Sequence, residues 1–314
     1  MGSFNVSVVI PVYNAEKYVK RAVESVLIQP EVTEIILVND GSSDNSVAIC
    51  QKLQEVDQRI IIVHHLAFKN KGVSASRNLG IKTAKNNFIA FLDSDDYYLP
   101  NRFKVTSACF SFDGSIEAVY EMIGVHSDLG VTNIYSVIED VKPNHLFENL
   151  QPLGHNVLFH IDGLTVKKKV FIKSGYFDES LKTSEDTLQW FKLASVCKLV
   201  HGEINDFVAL SEKLTNGLSS NRRLVEKDFI FMLLKLFKFC ERNNLTASRK
   251  ELVVSKLFYF ISIPPYNEYF NGLNRLKLFA KIISVSPTYL IFQSSSFRLS
   301  IGNLFNNKRF FLFR

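Results

Sequence analysis

The sequence predicts an α/β fold: a mixed, mostly parallel sheet flanked by helices, with a helical C-terminal extension. Three observations predict it. Short β-branched runs alternate with stretches of helical period through the first 95 residues, as βαβ units do. Polar and acidic clusters follow directly on several apolar runs, at the strand ends where open α/β sheets bind ligands. From Leu224 the apolar spacing becomes purely helical.

Val6–Ile10 reads as the first strand, closed by Pro11. Residues 15–29 place Tyr18, Ala22, Val26 and Val19, Val23, Leu27 at helical spacing. Glu34–Val38 is a second buried strand, and Ser43 or Asp44 caps a helix carrying Val47, Cys50 and Leu53 on its apolar side. Arg59–Val63, Ser74–Ala84 and Phe88–Leu92 follow as strand, helix and strand. Beyond these, Asn101–Phe112 reads as a helix, Ala118–His126 and Val131–Ile138 as strands, and Glu185–Val196 as a helix with Leu188, Phe191, Leu193 and Ala194 inward. Phe229, Met232, Leu233, Leu236, Phe237 and Cys240 make one apolar stripe, and Lys250–Ile261 is the last helical stretch.

The 314 residues are 46% hydrophobic and 22% charged, which excludes global disorder, collagen-like and low-complexity classes. Charge is unevenly spread. Residues 1–243 carry 27 Lys and Arg against 29 Asp and Glu, whereas residues 244–314 carry 10 against 2, with 10 of the 27 Phe. Cys50, Cys109, Cys197 and Cys240 have no metal-ligand spacing and read as buried, reduced thiols. No basic-then-apolar leader opens the sequence. The longest apolar candidate, Ile282 to Phe292, contains Pro287 and is shorter than the roughly 20 residues a spanning helix needs. These features predict a cytoplasmic protein.

Four clusters stand at the strand ends. Pro11-Val12-Tyr13-Asn14, followed by Glu16, is also ordinary turn chemistry. Asn39-Asp40-Gly41-Ser42-Ser43-Asp44 makes a tight polar turn that a ligand can approach. A carboxylate there can accept the imide N3–H of uracil or thymine, a donor that adenine lacks. A helix cap explains one acid of this cluster but not Asp40. Gly72-Val73-Ser74-Ala75-Ser76-Arg77-Asn78 brings Arg77 one turn into a helix, within reach of phosphate or of the acids; an exposed helix Arg is equally commonplace. Phe91-Leu92-Asp93-Ser94-Asp95-Asp96 places three acids in four residues after a buried strand. Such acids repel one another unless something positive neutralises them, and strand alternation puts Asp93 and Asp95 on one side. Two such carboxylates can hold a hard divalent ion; a solvated acidic turn is the bland alternative.

In this order the four clusters resemble the family 2 glycosyltransferases of the GT-A fold. Gly175-Tyr176-Phe177-Asp178-Glu179 and Ser184-Glu185-Asp186 extend the resemblance, which covers residues 5–220. It implies a GT-A domain over 1–220, with a nucleotide-sugar half at 1–96 and an acceptor half at 97–220, and a basic, aromatic helical region at 221–314. The resemblance further implies inverting transfer from a nucleotide-sugar, a UDP-sugar first, to a glycan or lipid-linked acceptor. It assigns Pro11, Val12, Tyr13 and Glu16 to the donor pocket, and Asp40 to the base N3–H. Gly72 goes to the diphosphate side, and Arg77 sits near the diphosphate or braces the acids. Asp93, Ser94 and Asp95 become a DxD-type motif, with Asp95 contacting Mn²⁺ or Mg²⁺ and Asp93 holding ribose or metal-bound water. Asp186, beside Glu185, becomes the general base. One departure stands out: where such enzymes often carry a Tyr-Arg-x-His-type loop, this chain has Glu212-Lys213-Leu214-Thr215-Asn216-Gly217. Lys213 can replace an Arg there, but Thr215 is a poor substitute for His. The seven histidines have no spacing that compels a site and read as structural.

The tail after residue 243 has two readings, a packing module that closes the core or a patch for an anionic membrane surface at the inner face of the cell membrane. Nucleic-acid binding is disfavoured because no recognisable module accompanies the charge. Two other classes compete with the transferase. A nucleotidyltransferase or dinucleotide-binding oxidoreductase is also α/β, although no GxGxxG follows the first strand. A transferase-like binding module without turnover is the other, and the intact acids argue against it.

Overall fold

The computed structural model describes residues 3–127, 130–132, 141–154, 157–212 and 221–262. The chain divides into two units, Met1–Gly217 and Leu218–Arg314. The first opens on strand β1 (Val6–Val12), buried at every position. Helix α1 (Val19–Leu27) buries Val19, Ala22, Val23 and Val26, the i, i+3, i+4, i+7 stripe of a helix lying on a sheet. Strand β2 (Val32–Asn39), helix α2 (Ser46–Val56), strand β3 (Ile60–His64), helix α3 (Val73–Thr83) and strand β4 (Phe88–Phe91) complete the βαβ series. β1 pairs in parallel with both β2 and β4, and β2 with β3.

β1 runs through Pro11 rather than ending before it. Val9 O accepts from the Leu92 N–H and Val12 O from the Asp40 N–H, so alternate residues of β1 face β4 and β2. Pro11 therefore turns the side that lacks an N–H toward β4, which has already ended at Phe91, and no ladder bond is lost.

After β5 (Tyr97–Tyr98) and α4 (Lys104–Phe112), the single strand expected at Ala118–His126 is two: β6 (Ala118–Tyr120) and β7 (Ile123–Ser127). They belong to different sheets. The break falls at Glu121–Met122, where the Glu121 N–H donates to Gly163 O and the Met122 N–H to Glu203 O. β8 (Gly130–Thr132) covers the start of the strand expected at Val131–Ile138; residues 133–138 lie outside the described residues. Then come α5 (Leu146–Asn149), β9 (Leu164–Lys167), α6 (Val170–Ser174), α7 (Glu185–Val196), β10 (Leu199–His201) and β11 (Ala209–Glu212). The large sheet has the order β10-β6-β9-β4-β1-β2-β3, with β9 antiparallel to both neighbours. The small sheet has the order β5-β11-β7-β8. A mixed, mostly parallel sheet flanked by helices is thus the architecture of this unit.

In the second unit the described residues form α8 (Arg222–Arg242) and α9 (Ala247–Ser262). The Asn221 side chain accepts from the Leu224 N–H and caps α8. Leu233, Leu236, Phe237 and Cys240 are buried on α8 and Val253, Val254, Leu257 and Phe258 on α9. No described helix is long and apolar enough to cross a membrane. The tail residues 263–314 and the loop segment 213–217 lie outside the described residues.

α3 approaches β1 through Gly80. A Cβ built there meets Val9 Cγ1 at 2.2 Å, and Val9 is fully buried in the middle of the sheet. Gly80→Ala should therefore cost about 1–3 kcal/mol of stability as an overpacking substitution. Urea unfolding checks this, and a variant as stable as the parent would refute the close contact.

Candidate active site

The registers align the strand ends. Val12 stands opposite Asn39, and Val9 opposite Phe91, so Tyr13, Asp40 and Asp93 all emerge at the C-terminal edge of the sheet. Pro11 and Val12 are buried within β1, while Tyr13 is 53% exposed. Glu16 is bound into the scaffold here: its Oε2 accepts from the N–H and the side-chain amide of Asn45, each at 3.0 Å, and its own N–H donates to Asp44 Oδ2. Against desolvation, the Ser46 hydroxyl and N–H, both donating to Asp44 Oδ1, hold its carboxyl below the ordinary value. The first two clusters are thereby stitched into one rim.

Asp40 is almost fully buried, and both of its oxygens are engaged. Oδ1 accepts from the Lys71 N–H at 2.7 Å and Oδ2 from the Gly72 N–H at 2.9 Å. Gly72 takes φ +90°, and a Cβ there would meet nothing within 4 Å. The glycine is needed for this backbone angle rather than for room.

Arg77, only 3% exposed, donates through Nη1 to Glu185 Oε1 at 2.8 Å and through Nη2 to Asp93 Oδ1 at 2.7 Å. Burial works against its charge, but Asp93, Glu185 and Asp186 outweigh it and raise the guanidinium pKa above its usual value. Burial and the neighbouring Asp186 push Glu185 up to about 7, against the pull of Arg77. Asn78 fixes the next segment: its amide accepts from the Phe177 N–H at 2.9 Å and donates to Phe177 O at 3.0 Å. Ser184, at φ +60°, then opens α7, and Asp186 Oδ1 accepts from the Thr187 N–H.

The chain turns at Asp93–Asp96, with the Asp96 N–H on Asp93 O, so the alternation that paired Asp93 with Asp95 does not apply. Donor atoms of Asp93, Asp96 and His160 lie within 4.8 Å of one another instead. Asp95 is a neighbour, raised to about 6 by burial and by Asp93, and its carbonyl accepts from Arg21 Nη2. Ser94 sits half-buried in the same turn. Burial, with Asp162, Asp95 and Asp93 nearby, holds Asp96 well above the usual carboxylate range. Burial alone would lower His160, but Asp162, 3.2 Å from its Nδ1, with Asp93 and Asp186, raises it to about 9. Asp162 Oδ1 in turn accepts from the Asp93 N–H, and the fully buried Arg102 pairs with Glu121 and donates to Asp162 O.

The family model for glycosyl transferase family 2 matches residues 7–169, half of the chain. The chain belongs to glycosyl transferase family 2. Among curated relatives, Glycosyltransferase GlyA of Streptococcus pneumoniae serotype 4 is 30% identical over 182 residues, 57% of this chain and 22% of its own length. Minor teichoic acid biosynthesis protein GgaA of Bacillus subtilis is 30% identical over 200 residues, 58% of this chain and 41% of its own length. The chain thus spans less than half the length of these two relatives. Among solved structures, S. aureus TarS 1–349 in complex with UDP-GlcNAc matches with a TM-score of 0.66 at 19% identity. That match covers 91% of this chain and 80% of TarS 1–349, and at this identity the likeness is one of fold.

The stretch matched to glycosyl transferase family 2 holds Asp40, Arg77, Asp93, Asp95, Asp96 and His160, and ends before Glu185 and Asp186. Those two acids join the site through Arg77. Sequence reasoning passed over five participants. Asp96 was in plain view as the third acid of its cluster, and His160-Ile161-Asp162 carries an i, i+2 pairing just ahead of a strand. Arg102 and Glu121 gave no signal, since neither lies near a motif. Removing the central cation tests the network: Arg77→Met leaves Glu185 and Asp93 uncompensated and should cost about 3–5 kcal/mol. Arg77→Lys, a point charge that cannot fork to two carboxylates, should recover only part of it. Equal unfolding midpoints for parent and Arg77→Met would show that the guanidinium neutralises nothing.

Proposed function

We propose that this chain is an inverting, metal-dependent glycosyltransferase that moves a sugar from a UDP-sugar to a hydroxyl of a glycan or lipid-linked acceptor. The reading rests above all on one observation: acids from three distant segments (Asp40, Asp93 with Asp96, and Glu185 with Asp186) converge with His160 and Arg77 at one edge of the sheet. Support for the donor comes from TarS, solved with UDP-GlcNAc and with UDP. Support for a surface-polymer acceptor comes from GgaA, described as a minor teichoic acid biosynthesis protein. In this reading 1–96 binds the nucleotide-sugar, 97–220 shapes the acceptor site, and 221–314 is an appendage.

Tyr13, exposed beside Asp40, offers its ring to the base, and Asp40 accepts the base N–H. Asp186, in the first turn of α7, takes the proton of the acceptor hydroxyl as its oxygen bonds to the anomeric carbon. The bond from that carbon to the diphosphate oxygen breaks on the opposite face and its electron pair leaves with UDP, so the anomeric centre inverts. A base so placed typically supplies roughly 10²–10⁴-fold in rate. Glu185 acts one step back, holding the start of α7 through Arg77. The donor set at the 93–96 turn fits a hard divalent ion, Mn²⁺ or Mg²⁺. Asp93 and Asp96 converge with His160, and Asp95 adds a third carboxylate on the turn. When bound, the ion offsets the charge that develops on the departing diphosphate.

Two experiments test this reading. Asp186→Asn should cut sugar transfer by at least about 100-fold while UDP affinity stays within threefold or so of the parent; full transfer by the variant would sink the base assignment. Asp93→Ala and Asp96→Ala should each abolish the Mn²⁺-dependent part of UDP binding, as chelation of the ion should in the parent. Identical titrations with and without Mn²⁺ would remove the metal from the proposal.

A further inference from the structure

The 93–96 turn is held from outside by a helix that has no part in the transfer chemistry. Arg21, Ser25 and Gln29 follow one another at four-residue spacing, along α1 and just past its end, and so share one face. Each reaches the chain that follows β4. Arg21 Nη2 donates to Asp95 O at 2.8 Å, Ser25 Oγ accepts from the Tyr98 N–H at 3.0 Å, and Gln29 Nε2 donates to Leu99 O at 3.0 Å. The path from the turn into β5 is thus splinted along one polar edge of α1.

Arg21 makes more contacts than the other two. Its Nη1 donates to Glu212 Oε1 at 2.7 Å, and its Cζ lies 4.3 Å from the centre of the Tyr97 ring. The Glu212 N–H in turn donates to Asp96 Oδ1 at 2.8 Å. Glu212 is the last residue of β11, which pairs with β5. One guanidinium therefore ties the backbone of the turn, at Asp95, to the strand end that orients a side chain of the turn, at Asp96. The Arg21 side chain is 44% exposed, and an ion pair so exposed adds little to folding by itself. A planar fork with two acceptors and a ring against it has few orientations open to it, so its effect is on geometry.

We propose that Arg21 positions the metal turn: by bridging Asp95 O and Glu212, it holds Asp93 and Asp96 in the arrangement that converges with His160. The inference rests on the metal-dependent reading above. Arg21 is a positioning residue, acting through the turn and not on the ion itself. The sign of its effect separates this role from an electrostatic one. A cation beside three carboxylates opposes the arrival of a second cation, so deleting its charge with the geometry kept would strengthen Mn²⁺ binding. Deleting a brace weakens it.

The test is Mn²⁺ affinity, measured by titration calorimetry on the full chain with saturating UDP, together with UDP affinity in the absence of metal. Arg21→Gln should weaken Mn²⁺ binding by about fivefold, the upper range for a partly exposed ion pair. Its metal-free UDP affinity should be unchanged, because Asp40 is held by the Lys71 and Gly72 N–H groups and not by α1. Arg21→Lys keeps the charge but cannot fork to two acceptors, and it too should bind Mn²⁺ more weakly than the parent. It carries the test alone if Arg21→Gln does not fold. Tighter Mn²⁺ binding by Arg21→Gln overturns the inference, as does a lower melting temperature with Mn²⁺ affinity unchanged in both variants. Equal losses in Mn²⁺ binding and in metal-free UDP binding mark a general distortion and overturn it as well. A parent that binds UDP but not Mn²⁺ overturns the metal reading, and this inference with it.

Discussion

One buried guanidinium holds the functional edge of this protein together. Arg77 reaches Asp93, at the end of a central strand, and Glu185, at the start of a helix more than 100 residues later. Without a cation between them, two carboxylates in this interior would repel each other and would be driven to protonate. With it, Asp93 and Glu185, the neighbour of Asp186, are fixed relative to one another. The guanidinium suits this position because its fork can satisfy two carboxylates at once and it does not lose its proton. Asn78, the next residue, pins the chain at Phe177, so a single turn of α3 secures both segments of the second half.

A second constraint comes from charge balance at the 93–96 turn. Asp93, Asp95, Asp96 and Asp162 gather around one imidazole, and His160 is raised to about 9 as a result. Arg102 and Glu121 lie behind them, both fully buried. The near-neutral sum of the first 243 residues conceals this local excess. Net charge describes solubility and long-range fields, whereas a site depends on which charges lie within a few ångströms of one another in low dielectric.

The α/β class, the order of the first four strands and the positions of the acid clusters were legible because they follow from local periodicity. Each apolar run of β1, β2, β3 and β4 lies within a residue or two of its expected bounds. Legibility failed where a tertiary partner decides. Ala118–His126 reads as one continuous apolar run, yet it breaks at Glu121 because Arg102 claims that side chain and two sheets claim the flanking backbone. Asp93 and Asp95 read as partners from strand alternation, but β4 stops at Phe91 and the following turn brings Asp96 round to Asp93 instead.

By itself the sequence determined which elements form and which residue types stand at the strand ends, since both are properties of short stretches of chain. The tertiary structure decided what those residues face. It made Glu16 a brace for the rim, Arg77 a bridge between two distant acids, and His160 a member of the acidic cluster. Each of these pairings joins residues that are distant in sequence or separated by a turn. Their hydrogen-bond partners are set by the register of β1 against β2 and β4 and by the docking of α3 and α7, none of which a local pattern encodes.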